Sequence, residues 1–191
     1  MITACIVQAR MTSTRLPGKV MLSLGGEPVI RHVLRRCQAI EGVDVVVCAV
    51  PDGDKSTPIK REAIALGVRV ATGLEHDVLS RYHSAALAVD ADIVMRITGD
   101  CPMTDPIACA RILALLTDGV DYVASQDCEV FTFNALDRAH KEADDPYDRE
   151  HVCPWMRRNL CVVVEEEPVD RRSLDDLEDY LFLSGKFHEH G

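Results

Sequence analysis

No apolar run in this chain approaches the roughly 18 residues that a bilayer-spanning helix needs, and no membrane partner is expected. The opening stretch, Met1 to Val7, lacks a basic region ahead of its apolar residues and runs straight into polar ones. It does not read as a signal peptide, so the protein is expected in the cytoplasm. The eight cysteines include no C-x-x-C pair, and there is neither an H-E-x-x-H nor another metal-binding pair of histidines. A structural zinc site is therefore not expected. Cys5, Cys37, Cys48, Cys109 and Cys161 lie inside apolar stretches and read as reduced thiols acting as small core hydrophobes. A basic excess is missing as well: the formal net charge is −10, which argues against a nucleic-acid partner, since phosphate-dominated binding needs a basic face.

What is present is the composition of one globular domain spanning residues 1–191, 47% apolar and 27% charged, with eleven Gly and nine Pro. Charge is unevenly spread. Residues 1–36 carry six basic side chains (Arg10, Arg15, Lys19, Arg31, Arg35, Arg36) against one acid, Glu27, while the remainder holds 15 basic and 30 acidic groups. A local positive region in an acidic chain suggests a small anionic ligand bound near the N-terminus.

Apolar runs alternate with segments of helical period, the pattern of an α/β fold with a mostly parallel sheet covered on both faces. Strands are predicted at Ile2–Val7, Val43–Val50, Val68–Ala71 and Ile93–Ile97, with short ones near Tyr122–Ser125, Cys128–Phe133 and Val162–Val164. The spacing of Val29, Ile30, Val33, Leu34 and Cys37 predicts the first helix, after a long polar loop. Pro58 and Gly67 bracket a second, Asp77 caps a third, and Asp105-Pro106 opens a fourth, running to about Leu116. A helix from about Ala135 follows, then a helical segment from Asp148 to Asn159 that Pro154 must kink. Ser173 and Asp176 resemble a capping box for a terminal helix.

Ligands of open α/β sheets collect at the carboxyl ends of strands where the strand order reverses, and two polar motifs follow strand ends. The first is Gln8-Ala9-Arg10-Met11-Thr12-Ser13-Thr14-Arg15-Leu16-Pro17-Gly18-Lys19, with three cations and three hydroxyl residues in twelve positions. It suits a polyphosphate, with a solvated surface loop as the competing reading on composition alone, for it is neither a Walker A loop nor a Rossmann fingerprint. The second is Arg96-Ile97-Thr98-Gly99-Asp100-Cys101-Pro102, in which Asp100 is placed to ligate a hard cation such as Mg²⁺. Asp105 reads as an N-cap.

With Asp77-Val78-Leu79-Ser80-Arg81-Tyr82, Glu129-Val130-Phe131 and Asp145-Pro146-Tyr147-Asp148-Arg149-Glu150-His151-Val152, these stretches form an ordered series over residues 7–152. The series resembles the cytidylyltransferase family that activates sugars, most closely its spore-coat polysaccharide biosynthesis branch. The resemblance implies a three-layer α/β/α sandwich like that of the nucleotide-diphospho-sugar transferases. It also implies transfer of CMP from CTP to an acidic sugar or another small anionic acceptor, with release of pyrophosphate, by a homodimer. Carried onto this chain, Arg10, Arg15 and Lys19 hold the triphosphate, with Ser13 in the same loop. Backbone around Gln8 and Ala9 lies near the cytosine, Thr98 and Gly99 flank the nucleotide, and Asp100 holds Mg²⁺. Arg10, Lys19 and Asp100 are the expected catalytic residues. Arg81 either approaches the nucleotide or is a solvated helix arginine.

The chain departs from the family near its C-terminus. The family's second metal carboxylate falls on Arg172, leaving Asp170 as the substitute ligand if the loop is shifted, while Asp175 and Asp176 read as charges facing water at a helix start. The segment between Ser125 and Glu129 is short, which should shrink the acceptor pocket or the dimer contact. Asp127 and Glu129 share one strand face and would serve metal or acceptor, or else a solvated edge. His151 is either an acceptor contact or structural. Asp52-Gly53-Asp54 reads as a turn. Two alternatives stand: a nucleotide-sugar-dependent glycosyltransferase relying on Asp52 and Asp54, and a non-catalytic nucleotide-binding relative.

Overall fold

Short runs of small and β-branched apolar residues, each followed by a helical period, build a seven-stranded sheet covered on both faces. The computed structural model describes residues 1–126, 128–165 and 173–188. In chain order the elements are β1 (Thr3–Gln8), β2 (Ser23–Leu24), β3 (Glu27–Pro28), α1 (Val29–Gln38), β4 (Val45–Pro51), α2 (Thr57–Ala65), β5 (Arg69–Gly73), α3 (Val78–Leu87) and β6 (Ile93–Thr98). Then come α4 (Pro106–Ala114), β7 (Tyr122–Ala124), β8 (Glu129–Thr132), α5 (Phe133–Glu142), α6 (Pro146–His151), α7 (Pro154–Asn159), β9 (Val162–Val164) and α8 (Leu177–His188). Single 3-10 turns lie at Lys19–Met21 and Asp54–Ser56.

The strand order is β5-β4-β1-β6-β8-β7-β9. Only β8 runs against its neighbours in this sheet. Alternation along β1 sorts the core into two layers: Ala4 and Ile6 pack with Leu79 and Tyr82 of α3 and Leu136 of α5, whereas Cys5 and Val7 pack with Val33 of α1, Ile59 of α2 and Ile112 of α4. A smaller cluster of Leu24, Val29, Leu174 and Leu183 docks α8 against the β2–β3 hairpin.

From β1 the chain moves outward to β4 and β5, then returns to the other side of β1 as β6. The carboxyl ends of β1 and β6 therefore lie side by side where the order reverses, which opens a crevice. Two residues hold these ends together. The Gly99 N–H donates to the Gln8 carbonyl at 2.8 Å, and a Cβ on Gly99 would stand 2.9 Å from both Ala9 Cβ and the Gln8 carbonyl oxygen. The fully buried Tyr82 places its hydroxyl between the carbonyls of Ile6 (3.1 Å) and Ile97 (3.3 Å).

The helix caps at Asp77 and Asp105 are those expected, accepting from the Ser80 and Ile107 N–H groups. Others differ. The terminal helix is capped three residues later than the Ser173/Asp176 pattern suggests: the Asp179 N–H donates to Asp176 Oδ1 (3.1 Å) and the Asp176 N–H to Asp179 Oδ2 (3.2 Å). The Ser173 hydroxyl instead donates to Asp175 Oδ2 at 3.0 Å. The β2–β3 hairpin lies within the expected long loop, and Cys161 is exposed rather than a core thiol because β9 is an edge strand.

Gly99→Ala should lower unfolding stability by about 1–3 kcal/mol through overpacking at the β1–β6 junction. Gly185→Ala, in α8 with open space where its Cβ would stand, should raise it by about 0.5–1 kcal/mol. Denaturant melts of the two variants check the pair; a neutral Gly99→Ala would show that the close approach is not a constraint.

Candidate active site

The loop after β1 folds back on itself through a hydrogen bond from the Gly18 N–H to the Met11 carbonyl (2.9 Å). Gly18 adopts φ +71°, a left-handed turn natural to glycine, and the next residue, Lys19, turns into the crevice. Lys19 Nζ lies 2.6 Å from Asp100 Oδ2 and 3.0 Å from Asp175 Oδ1, and Arg15 Nη2 lies 2.9 Å from the same Asp175 oxygen. The stretch carrying Asp175 is fastened beside Asp100 by the Leu174 N–H, which donates to the Asp100 carbonyl at 2.8 Å, and by the buried Leu174 side chain. Burial works against the Lys19 charge, but Asp100 and Asp175 outweigh it and raise its pKa. Burial likewise works against the Asp175 charge, yet Lys19, Ser173 and Arg15 hold its carboxyl below the usual range.

Asp175 is therefore half-buried and paired with Lys19 and Arg15 in the crevice, whereas the sequence expectation was a charge facing water. It is the second carboxylate of the crevice, which counting along the family pattern missed because the count settled on Arg172. The available signal was its place next to Asp176-Leu177, in the segment where the resemblance implies a metal carboxylate. Asp170 and Arg172, like Asp127, lie outside the described residues.

The crevice is a cleft of about 250 Å³, and all ten expected nucleotide-side residues line it: Gln8, Ala9, Arg10, Ser13, Arg15, Lys19, Arg81, Thr98, Gly99 and Asp100. The positive N-terminal region divides. Arg31 pairs with Glu62 at 2.8 Å, Arg35 pairs with Glu27, and Arg36 donates to the Thr104 carbonyl at 3.1 Å, so only Arg10, Arg15 and Lys19 of that region reach the cleft. Arg10 lies 3.5 Å from Glu150 of α6. Arg81 is not a solvated helix arginine: it is buried, donating to the carbonyls of Leu74 (2.7 Å) and Glu75 (2.9 Å), and burial together with nearby Arg10 lowers its pKa. It braces the loop before α3 while lining the cleft. The cleft thus mixes four cations with the carboxylates of Asp100, Glu150 and Asp175, which suits a metal-bound polyanion better than a bare one.

Among the described residues no group of three His, Cys, Asp or Glu side chains forms a metal cage. The fit to a divalent cation rests instead on Asp100 and Asp175, two carboxylates already gathered about one positive charge, a donor set suited to Mg²⁺ sharing its shell with phosphates and water.

A larger cavity of about 790 Å³ adjoins the cleft, and Thr98 and His151 line both. Ser125, Gln126 and Cys128, from the short segment before β8, open onto it. Its floor is Glu129, which is neither a solvated edge residue nor placed for metal. β8 is interior to the sheet, and the Glu129 carboxylate accepts from Arg96 Nη1, from the Tyr122 hydroxyl and from Arg157 Nη2 (2.8 Å). Burial would raise the Glu129 pKa, but Arg96, Tyr122 and Arg157 hold it below the usual carboxylate range. His151, at the end of α6, packs its ring 4.3 Å from that of Tyr147. Asp52 and Asp54 lie in the expected turn after β4 and line neither cavity.

A mostly parallel sheet with a cationic loop after its first strand and carboxylates across the reversal point defines a nucleotidyltransferase of the nucleotide-diphospho-sugar transferase fold. Residues 4–184 match the cytidylyltransferase family, and the chain belongs to that family. It is 29% identical over 207 residues to the spore coat polysaccharide biosynthesis protein SpsF of Bacillus subtilis, with 97% of this chain and 86% of that protein covered. It is 36% identical over 119 residues to a 3-deoxy-manno-octulosonate cytidylyltransferase of Anaeromyxobacter dehalogenans, covering 61% of this chain and 48% of that protein. A solved cytidylyltransferase from Leptospira borgpetersenii superposes with a TM-score of 0.91 at 27% identity, covering 99% of this chain and 87% of that one.

Glu129 ties this site to stability. Its folded pKa is depressed, so its contribution is fully present above the unfolded value of about 4.3 and is lost as pH falls through the folded value. Glu129→Gln should cost about 3–5 kcal/mol at neutral pH, because Arg96 stays buried with its acid gone, and should flatten the acid side of the stability profile. Melts between neutral and acidic pH check this; an unchanged profile would remove Glu129 as the anchor of the cavity floor.

Proposed function

We propose that the protein is a Mg²⁺-dependent cytidylyltransferase that moves CMP from CTP to an acidic sugar or another small anionic acceptor, releasing pyrophosphate, in the synthesis of surface polysaccharide or glycan precursors. The observation that carries this reading is the meeting of Lys19, from the loop after β1, with Asp100 and Asp175 in one cleft beside Arg10 and Arg15. The similarity to SpsF and to a 3-deoxy-manno-octulosonate cytidylyltransferase supports CTP as donor and a sugar as acceptor. The cytoplasmic setting and the homodimer are proposed on the family resemblance.

In nucleotidyl transfer an acceptor oxygen attacks the α-phosphorus in line while pyrophosphate leaves, so the protein's work is positioning and charge neutralisation. Arg10, Arg15 and Lys19 bind the β- and γ-phosphates and stabilise the departing charge. Ser13 supports the same phosphates from within the loop. The ends of β1 and β6, through Gln8, Ala9, Thr98 and Gly99, form the shelf on which the nucleoside lies. Gln8 is held there by Arg96 Nε, which donates to its side-chain oxygen at 3.2 Å. Asp100 and Asp175 would hold Mg²⁺, and the ion would supply positive charge toward the phosphates and Lewis acidity toward the acceptor. The acceptor enters from the larger cavity, past Thr98 and His151.

Lys19→Ala should weaken CTP binding by about tenfold or more and CMP binding far less, because its ammonium serves the leaving phosphates. Asp100→Asn should keep the fold and remove most pyrophosphate release. Calorimetry with both nucleotides and a pyrophosphate assay across sugar acids check these outcomes. Equal losses for CTP and CMP would contradict the assignment of Lys19, and CTP binding without release for any acceptor would point to the non-catalytic relative.

A further inference from the structure

Resting on the cytidylyltransferase reading, we infer that Arg157 and Arg158 of α7 form a two-arginine fork that recognises an oxyanion, a carboxylate or a phosphate, on the acceptor in the 790 Å³ cavity.

Adjacent helix residues point about 100° apart, yet both of these line the same cavity. Each is drawn there by a buried acid. Arg157 donates to Glu129 Oε1 (2.8 Å) and through Nε to the Tyr122 hydroxyl (2.9 Å); Arg158 donates to Asp148 Oδ2 at 2.5 Å. The acids are sequestered, with side-chain exposures of 10% for Glu129 and 4% for Asp148, while the arginines remain 54% and 56% exposed. One edge of each guanidinium is thus fixed by protein and much of the rest stays open, the arrangement in which a planar fork meets a planar or tetrahedral oxyanion.

The backbone contributes separately. Between α6 and α7 the chain reverses in a γ-turn: Val152 has φ 71° and ψ −59°, and the Cys153 N–H donates to the His151 carbonyl at 2.9 Å. That conformation is rare and strained, more so for a fully buried β-branched residue, and here it puts His151 on one side of the turn and the two arginines on the other, all facing one cavity. Charge agrees. The lining carries Arg96, Arg157 and Arg158 against Glu129, and counting Asp148 behind it still leaves a positive wall in a chain of net charge −10. Asp148 is a positioning residue that acts through Arg158.

The test is calorimetry on the full chain, with and without CMP, using 3-deoxy-manno-octulosonate as the carboxylate probe, mannose 6-phosphate as the phosphate probe and mannitol as the neutral control. At least one oxyanion should bind saturably and mannitol should not; which of the two binds tells a sugar acid from a sugar phosphate. Arg157→Lys, which keeps the charge and loses the fork, should weaken that probe by about tenfold. Asp148→Asn/Arg158→Gln, which leaves no unpaired buried charge, should do the same, and adding Asp148→Asn to Arg158→Gln should bring no further loss. Melting curves and CTP affinity close to those of the unaltered protein would show that the fold and the nucleotide cleft survive. Oxyanions binding no better than mannitol, or variants binding as the parent does, would overturn the proposal. A parent that binds an oxyanion but not CTP would overturn the cytidylyltransferase reading and leave the fork standing.

Discussion

One ammonium group holds three distant segments of chain together. Lys19 comes from the loop after β1, Asp100 from the turn after β6 and Asp175 from the approach to α8, and their charged atoms meet within hydrogen-bonding distance. Burial works against the Lys19 charge and these acids offset it, while the acids without the ammonium would repel each other. With Arg15 the group is a formally neutral quartet. It is also an arrangement of interchangeable partners. In the proposed reaction the carboxylates pair with a metal and the cations with phosphates, so every charge has a partner before and after the nucleotide arrives, and desolvation is spread over both states.

The quartet depends on the backbone beneath it. Because β1 and β6 are neighbours with connections leaving in opposite directions, their ends form the only kind of place in such a sheet where two loops face each other across a gap rather than crossing it. Gly99 sets how narrow that gap is, since any side chain there would collide with Ala9 and the Gln8 carbonyl. Tyr82, reaching up from α3 to the carbonyls of Ile6 and Ile97, keeps the two strands in register below the site. The conformational freedom of Gly18 completes the geometry by aiming Lys19 inward.

Much of this was legible because it is written in local rules. Periodicity located the central strands within a residue or two, and Asp77 and Asp105 cap their helices as expected. The two strand-end loops stood out by their Gly, hydroxyl and charged residues, while the individual assignments, that of Arg81 among them, came from the family resemblance. Asp175 was not recovered, because its pairing is fixed by a contact 156 residues away with Lys19, and its place beside Asp176-Leu177 was too weak a signal to separate it from Asp176, which caps the helix. Glu129 was misjudged for a related reason. Whether a strand is edge or interior is a property of the sheet order, and once β8 lies between β6 and β7 its acid must be paired rather than solvated. Arg157 and Arg158 carry no motif at all; their meaning arises only when β8 and α6 bring Glu129 and Asp148 behind them.

The two cavities use the same pairing of acid and cation to opposite ends, and the difference lies in which partner is exposed. In the cleft the acids reach solvent at least as readily as the ammonium they hold, so a ligand has access to both members of each pair and exchange is open to it. In the larger cavity the acids are largely covered by their arginines, so an incoming group meets mainly the cationic partner of each pair. Buried acids of this kind are costly and add little net stability by themselves. What they secure is direction: a long, flexible side chain that would otherwise sample many rotamers is held with one edge toward the cavity, lowering the entropy lost when an anion is bound. On the proposed reading, a nucleotide cleft open to partner exchange beside a more permanent recognition wall fits a reaction in which one substrate is broken and rearranged while the other only needs to be held in line.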